Sequence, residues 1–196
     1  MRLGIVLCVI TATSTARGLA QARQPRATAA DSGPLAAVQL GARRVFLPSS
    51  ADSFPRARVF SDTTHEGGNT LCLSVGQGEH AALLLLDDED IGLWMASLTT
   101  DSSAYHNCPH INTPVKLFYD GRVYDLSTSL ATIRRRLGPP SLRGDTLTWG
   151  TQWTRTIRDP AINGGAPMSA DGAAGLRIIR RRGRIVWIGV HRIETF

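Results

Sequence analysis

The stretch VKLFYDGRVYDLSTSLATIRRRLGPP, residues 115–140, carries the two patterns that decide the predicted fold. In its first half, residues 115–119 and 122–126 are short β-type runs separated by Asp120-Gly121. An Asp-Gly pair between two such runs is the strongest short-range signal of a β-hairpin, because both turn positions need positive φ. This half therefore predicts two antiparallel strands.

The second half of the stretch has the spacing of a helix. Leu130, Ile133 and Leu137 recur at i, i+3 and i+7, so they would share one helical face. Ser127 or Ser129 can cap the start, and Gly138 followed by two prolines ends the pattern. We expect one short helix near residues 128–137.

Most of the remaining chain consists of β-type runs between polar or glycine-containing turns. Leu71, Leu73 and Val75 alternate with polar or small residues, as a half-buried strand does. The further predicted strands cover residues 44–47, 57–61, 70–75, 81–86, 93–98, 145–149, 152–157, 176–181 and 184–193. The sequence thus predicts an α+β fold, mainly an antiparallel sheet with one short helix and one disulfide.

The N-terminus has the three parts of a secretory signal peptide. Arg2 supplies the positive region, residues 3–12 the apolar run, and Ala20-Gln21-Ala22 the small-residue cleavage site. The apolar run is shorter than the ~20 residues that span a bilayer. We expect residues 1–22 to be removed, and the mature protein to be periplasmic or secreted from a bacterium rather than integral to a membrane.

The remaining sequence suggests a leader followed by one domain. Residues 23–42 are rich in Ala, Arg, Pro, Ser and Gly without a sustained period, which is typical of a disordered leader. Residues 43–196 are then a single exported domain, either as one unit or as two subdomains, 43–125 and 126–196.

The net charge is mildly basic. The chain has 22 Lys and Arg against 16 Asp and Glu, a formal charge of +6. Contact with an anionic lipid surface is compatible with this charge but not required by it. No interleaving of aromatic and basic residues indicates base stacking, so nucleic acid is not an expected partner.

Two cysteines remain once Cys8 leaves with the signal peptide. In an oxidising compartment Cys72 and Cys108 are expected to form a disulfide. The competing hypothesis is a zinc site built from His106, Cys108 and His110, which have ligand chemistry. A disulfide-bonded sulfur cannot be a thiolate ligand, so we predict no metal site.

Two arginine runs and one aromatic face are the candidates for binding. Residues 134–136 end the predicted helix, and residues 180–184 surround a predicted hairpin tip, so both have structural explanations as well as anion-binding ones. Leu147, Trp149 and Trp153 share one strand face, which favours a core role, whereas an exposed Trp153 beside Arg155 would form a binding hot spot. The sequence leaves both open, as it does for Trp187. The predicted interaction residues are Trp153, Arg155, Arg180, Arg181, Arg182 and Arg184.

Catalytic motifs such as G-x-S-x-G, H-E-x-x-H and the nucleotide-binding glycine loops do not occur in the sequence. We therefore expect no catalytic residue and no cofactor. The alternative is an uncharacterised exported hydrolase, with residues 159–175 as a mobile lid and a site at His191 or at His106 with His110. The acidic residues 87–90 are interpreted as a solvated turn or a partner-facing surface.

The order of motifs after residue 126 resembles a known kind of module. Residues 129–133 lead to Leu137-Gly138-Pro139-Pro140, then to a strand ending in Trp149 and two closing strands. This layout is similar to that of the outer-membrane assembly lipoproteins of the SmpA/BamE family and of β-lactamase-inhibitor proteins. The resemblance covers residues 126–196 and implies a small α+β module that binds another protein without catalysis. Unlike the lipoproteins, the chain has no cysteine for a lipid anchor.

The leading functional hypothesis is a non-catalytic exported protein that binds an envelope or extracellular protein. The two alternatives are the hydrolase and a peripheral protein of the outer membrane or another anionic surface.

Overall fold

The computed structural model describes residues 33–60, 68–77, 79–88, 90–100, 108–158, 160 and 163–195. Strands account for about 62% of these residues and helical turns for 10%. The predicted α+β class is therefore wrong: the described part of the chain is mostly β, and its one α-helix has only eight residues. The predicted signal peptide, His106 and Glu89 lie outside the described residues.

In chain order, the strands and the helix are β1 (Ala36–Leu40), β2 (Arg43–Phe46), β3 (Arg58–Phe60), β4 (Gly68–Gln77), β5 (Glu79–Asp88), β6 (Gly92–Thr99), β7 (His110–Ile111), β8 (Val115–Tyr119), β9 (Arg122–Tyr124), α1 (Leu130–Leu137), β10 (Ser141–Arg143), β11 (Thr146–Ile157), β12 (Met168–Arg181) and β13 (Arg184–Thr195).

The strands form two sheets. The small sheet has the order β2–β1–β8–β9, and all its pairs are antiparallel. The large sheet has the order β10–β11–β12–β13–β6–β5–β4–β3, and β7 adds a parallel pair beside β4. The large sheet is therefore mixed.

The hydrophobic core lies between the two sheets. Strands β1 and β8 of the small sheet contact β13, and β8 also contacts β6. The hydroxyl of Tyr119 donates a hydrogen bond to the carbonyl of Ala174, 3.4 Å away, across this layer. The largest fully buried side chains are Tyr124, Leu83, Leu85, Leu93, Leu117, Ile133, Leu176, Ile178, Ile188, Val38 and Val190. We call the side of the large sheet that faces away from this core its outer face.

The helix and both hairpins agree with the prediction. Ser129 caps α1, since its hydroxyl accepts the Thr132 N–H at 3.2 Å. Gly138 ends the helix at φ 80°, and its carbonyl accepts a hydrogen bond from the Trp149 indole at 2.9 Å. The turns between β8 and β9 and between β12 and β13 have positive φ at both central residues. The Trp149 bond ties the helix end to the large sheet.

Strand β1 corrects the predicted leader. Ala36, Ala37 and Val38 are 0% exposed, and β1 pairs with β2 on one side and β8 on the other. The boundary at residue 42 is therefore wrong, because ordered structure already includes residues 36–40. A turn with Gly41 at φ 58° lets β1 fold back onto β2.

The predicted loop over residues 159–175 is wrong from Met168 onwards. Residues 168–175 belong to β12, whose ladder with β11 is continuous from Thr146↔Ile179 to Ile157↔Met168. The apolar–polar alternation of residues 168–175 is weak because small residues stand where the strand lies next to aromatic rings. A Cβ at Gly172 would come within 2.1 Å of the Trp153 ring.

The two suggested subdomains share one sheet and one core. Strand β13 pairs with β6 from Trp187↔Thr99 to His191↔Met95. The same hydrophobic cluster contains Leu83 from the first half and Ile188 from the second. The division at residue 125 therefore separates chain segments and not structural units.

The predicted disulfide is confirmed. Cys72 on β4 and Cys108 are bonded, with their Cα atoms 5.4 Å apart and a sequence separation of 36. The bond ties an outer strand of the large sheet to the segment just before β7.

Replacing both cysteines, as Cys72→Ala with Cys108→Ala, should lower the free energy of unfolding by about 3–4 kcal/mol. The reason is that a loop of this length gains conformational entropy in the unfolded chain. We expect the thermal midpoint to fall by roughly 10 °C, measured by circular dichroism. Wild-type protein treated with a reductant serves as the control and should approach the variant. Equal midpoints for the oxidised and reduced wild type would contradict this prediction.

Candidate functional site

The solvent side of the small sheet carries an apolar patch. Alternation along β1 and β8 sends Val38 and Leu117 to the core and leaves Ala37 and Phe118 on the other side. In register with them lie Phe46 on β2 and Val123 on β9, and Leu35 precedes β1 with the same parity. We call this surface the Phe46 face, made of Leu35, Ala37, Phe46, Phe118 and Val123.

The Phe46 face is partly exposed, since Ala37 and Phe118 on its central strands are buried whereas the three residues around them are not. Leu35 and Phe46 are each 45% exposed and Val123 is 36% exposed. Only one other large hydrophobic side chain among the described residues is exposed, Leu142 at 70%. Three exposed apolar side chains gathered on one sheet face mark a surface suited to interaction, whereas scattered ones are ordinary.

Aromatic and arginine groups are packed together on this face. The rings of Phe46 and Phe118 meet edge to face with centroids 6.2 Å apart. The Arg44 guanidinium lies 4.0 Å from the centroid of the Phe118 ring and donates to the Gln39 side-chain oxygen at 3.3 Å. At the opposite edge, Arg136 of α1 donates to the Val123 carbonyl. These contacts hold the side chains in place without covering Phe46.

None of the Phe46-face residues is among the six predicted interaction residues. The sequence feature that could have indicated this face is the run Leu117-Phe118-Tyr119. Its three consecutive apolar residues break the apolar–polar alternation of a half-exposed strand. A strand that is apolar on both faces needs a second apolar surface to cover it, or leaves one exposed.

Trp153 and Arg155 do not form the exposed pair that a hot spot requires. A Cβ at Gly33 would come within 2.3 Å of the Trp153 ring, so the chain before β1 crosses directly over this half-buried side chain. The guanidinium of the buried Arg192 lies 5.0 Å from the Trp153 ring and donates to the Pro34 carbonyl at 2.9 Å. Arg155 is ion-paired with Glu194. Trp153 therefore packs against the chain at the start of the small sheet, and Arg155 links β11 to β13.

The arginine run at the β12–β13 hairpin is largely exposed. Arg180 is half-buried, and its backbone N–H donates to the Asp145 carbonyl at 3.2 Å. Arg181, Arg182 and Arg184 are exposed at or beside the hairpin tip. These three cations are free to meet an anionic group, and they lie apart from Trp153 and Arg155.

Trp149 and Trp187 have structural positions. Trp149 is 5% exposed and belongs to the core, as its strand parity predicts. Trp187 is half-buried on the outer face of the large sheet, where a Cβ at Gly189 would come within 2.4 Å of its ring.

His191 lies on the outer face of the large sheet without a carboxylate in register. Its cross-strand neighbours are Gly175 and Met95, and its ring sits so close to Gly175 that a Cβ there would approach within 2.5 Å. Burial, reinforced by the positive charge of Arg177, lowers the pKa of His191 below its ordinary value. The arrangement favours a neutral, packed imidazole over a general base that a carboxylate orients.

The described part of the chain has no cluster of three or more His, Cys, Asp or Glu side chains that could hold a metal ion. His110 is exposed, and its Nε2 is hydrogen-bonded to the Asn112 side-chain oxygen at 2.8 Å. In the acidic turn, an Asp88 carboxylate oxygen accepts the N–H groups of Asp90 and Ile91. Burial and the charge of Asp88 raise the pKa of Asp87.

None of the described helices is long and apolar enough to cross a membrane. No protein-family model, no curated protein and no solved structure matches this chain.

The free energy of unfolding should fall as the pH is lowered from about 7.5 to 5.5, and His191→Gln should reduce that fall. The unfolded chain binds a proton at His191 near the ordinary pKa of 6.5, whereas the folded protein resists it until lower pH. Protonation therefore favours the unfolded state as the pH falls through this window. Urea denaturation at several pH values measures the effect.

The matched control for this experiment is His110→Gln, which replaces an exposed histidine on the short strand β7. It shows what replacing a histidine outside the β6–β13 ladder does to the stability profile. Parallel profiles for the wild type and His191→Gln would show that His191 contributes nothing to it.

Proposed function

We propose that this protein is a non-catalytic binding protein, exported from a bacterial cell, whose Phe46 face docks an acidic protein partner. The observation that carries the proposal is the grouping of exposed Leu35, Phe46 and Val123 on one face of the small sheet. Apolar and aromatic residues next to arginine are the composition of interface hot spots.

The charges around the face favour an acidic partner. Arg44 on β2 is exposed and shares the parity of Phe46, and Arg136 of α1 reaches the opposite edge of the face at Val123. The exposed Arg43 and Arg122 have the opposite parity on the two edge strands. One exposed acidic residue, Asp120, lies in the β8–β9 turn. A second copy of the chain docked face to face would bring like charges together, so self-association is the less favourable use of this surface.

Export is supported by two features. The first 22 residues have the pattern of a signal peptide. The disulfide between Cys72 and Cys108 belongs to an oxidising compartment such as the periplasm or the extracellular space.

The hydrolase alternative receives less support from the described residues. The long lid that it needs is shortened, because residues 168–175 are part of β12. His191 faces a cation and not a carboxylate. A binding role uses the exposed face and does not depend on either feature.

The test uses the purified, disulfide-bonded protein as bait for an envelope extract of the bacterium that makes it. We expect an acidic protein to be retained and, once purified, to bind the wild type with an affinity that falls with salt. Phe46→Ser should weaken that affinity about tenfold or more, because Phe46 is the most exposed aromatic side chain of the face. Arg44→Gln should weaken binding and reduce its salt dependence.

Leu142→Ser is the matched control, because Leu142 is the large exposed hydrophobic residue that lies away from the face. It should bind like the wild type. Three outcomes would overturn the proposal. They are retention of no protein by folded bait, equal binding by Phe46→Ser and Leu142→Ser, and Phe46-dependent sedimentation with phosphatidylglycerol vesicles, which would assign the face to a lipid surface.

A further inference from the structure

A cavity of about 780 Å³ opens at the end of the sandwich, away from the Phe46 face. It lies where the beginning of β8, the N-terminal end of α1 and the β12–β13 hairpin meet the edge of β4 and β5. Its volume is within the roughly 300–1,000 Å³ range of small-molecule sites. Leu35, Phe46, Phe118 and Val123 do not line it.

The floor of the cavity is apolar and incompletely covered. Leu98 is buried, whereas Val75, Leu130 and Ile185 are half-buried and pack against the core. Covering such side chains with an apolar body is favourable in proportion to the area removed from water. The floor therefore suits the hydrocarbon part of a ligand.

The polar side chains on one side of the cavity rim are already hydrogen-bonded to one another. An Asp125 carboxylate oxygen accepts hydrogen bonds from Ser127 and Thr128, at 2.6 Å and 3.0 Å from their hydroxyls. Burial alone would raise the pKa of Asp125, but these hydrogen bonds and the charge of Lys116 outweigh it and lower the pKa below its ordinary value. The rim is thus ordered without a ligand, which reduces the entropic cost of binding one.

Arg184 provides a free positive charge at the mouth of the cavity. It lines the cavity and is exposed, and the ion pair found within the described residues joins Arg155 to Glu194 instead. Arg181 lies directly opposite it in the hairpin, and Arg182 is in the turn. A negatively charged head group placed at this mouth meets the Arg184 guanidinium, while its apolar body reaches the floor.

From these features we infer that the cavity binds a small amphipathic anion, with an apolar body on Val75, Leu130 and Ile185 and its acidic head beside Arg184. The inference does not rest on the docking role of the Phe46 face, since the two surfaces use different side chains.

Dodecanoate, kept below its micelle-forming concentration, is the probe, and dodecanol is its neutral counterpart. In ¹H–¹⁵N spectra of the full protein, dodecanoate should saturate one site and shift the amides of Gly76, Ser127 and Gly183. Dodecanol should bind more weakly, because it has no charge for Arg184. The natural ligand could be a free fatty acid or a membrane lipid. Comparing the affinity of dodecanoate with that of the lysophosphatidylglycerol with the same acyl chain shows which of the two binds more tightly.

Arg184→Gln should weaken dodecanoate binding about fivefold, the effect of losing one partly exposed charge interaction, and leave dodecanol binding unchanged. Arg182→Gln is the matched control at the same hairpin tip, because Arg182 does not line the cavity. Phe46→Ser should also bind dodecanoate like the wild type, which separates failure of this site from failure of the docking surface.

Three results would overturn the inference. The first is the absence of saturable dodecanoate binding, and the second is a set of shifted amides confined to other parts of the protein. The third is equal binding of dodecanoate and dodecanol together with no effect of Arg184→Gln. That result would show that the cavity does not recognise the negative charge of the ligand.

Discussion

The ladder between β6 and β13 is the constraint on which the rest of the structure depends. It places Ile188 opposite Leu98 and Val190 opposite Ala96, so the same face of both chain halves is buried. If β13 slipped by one residue against β6, Trp187 and His191 would turn into the core, and Ile188 and Val190 would turn to the outer face. The small sheet, the cavity and the Phe46 face keep their positions because this register holds one continuous surface beneath them.

Elements with local signals could be predicted from the sequence. The helix begins at Leu130 and ends at Leu137 because Ser129 and Gly138 carry its caps within the helix's own sequence. The two hairpins follow from Asp120-Gly121 and Arg182-Gly183, whose residues adopt positive φ. The disulfide followed from compartment and cysteine number. The helix caps and the hairpin turns are determined by residues that are close together in the sequence. The disulfide could be predicted because only two cysteines remained to pair.

Elements that depend on distant partners could not be predicted in the same way. Strand β1 has a composition rich in alanine, and it becomes a strand because β8 and the core cover it. Residues 168–175 have no apolar period because Gly172 and Gly175 leave space for Trp153 and His191. The fold class was wrong for the same reason, since such segments add strands and not loops. The Phe46 face was missed because its members come from four separate stretches of chain.

The order of the strands in the sheets also determines the order in which they can pair during folding. Strand β1 pairs with β8 and β6 pairs with β13, and each of these partners follows only after several intervening strands. A chain that emerges with its N-terminus first therefore presents one unpaired edge of β1 and one of β6 before β8 and β13 exist to pair with them. Such pairings are slow to form and leave apolar segments uncovered meanwhile. The large sheet can therefore close only after β13 has emerged.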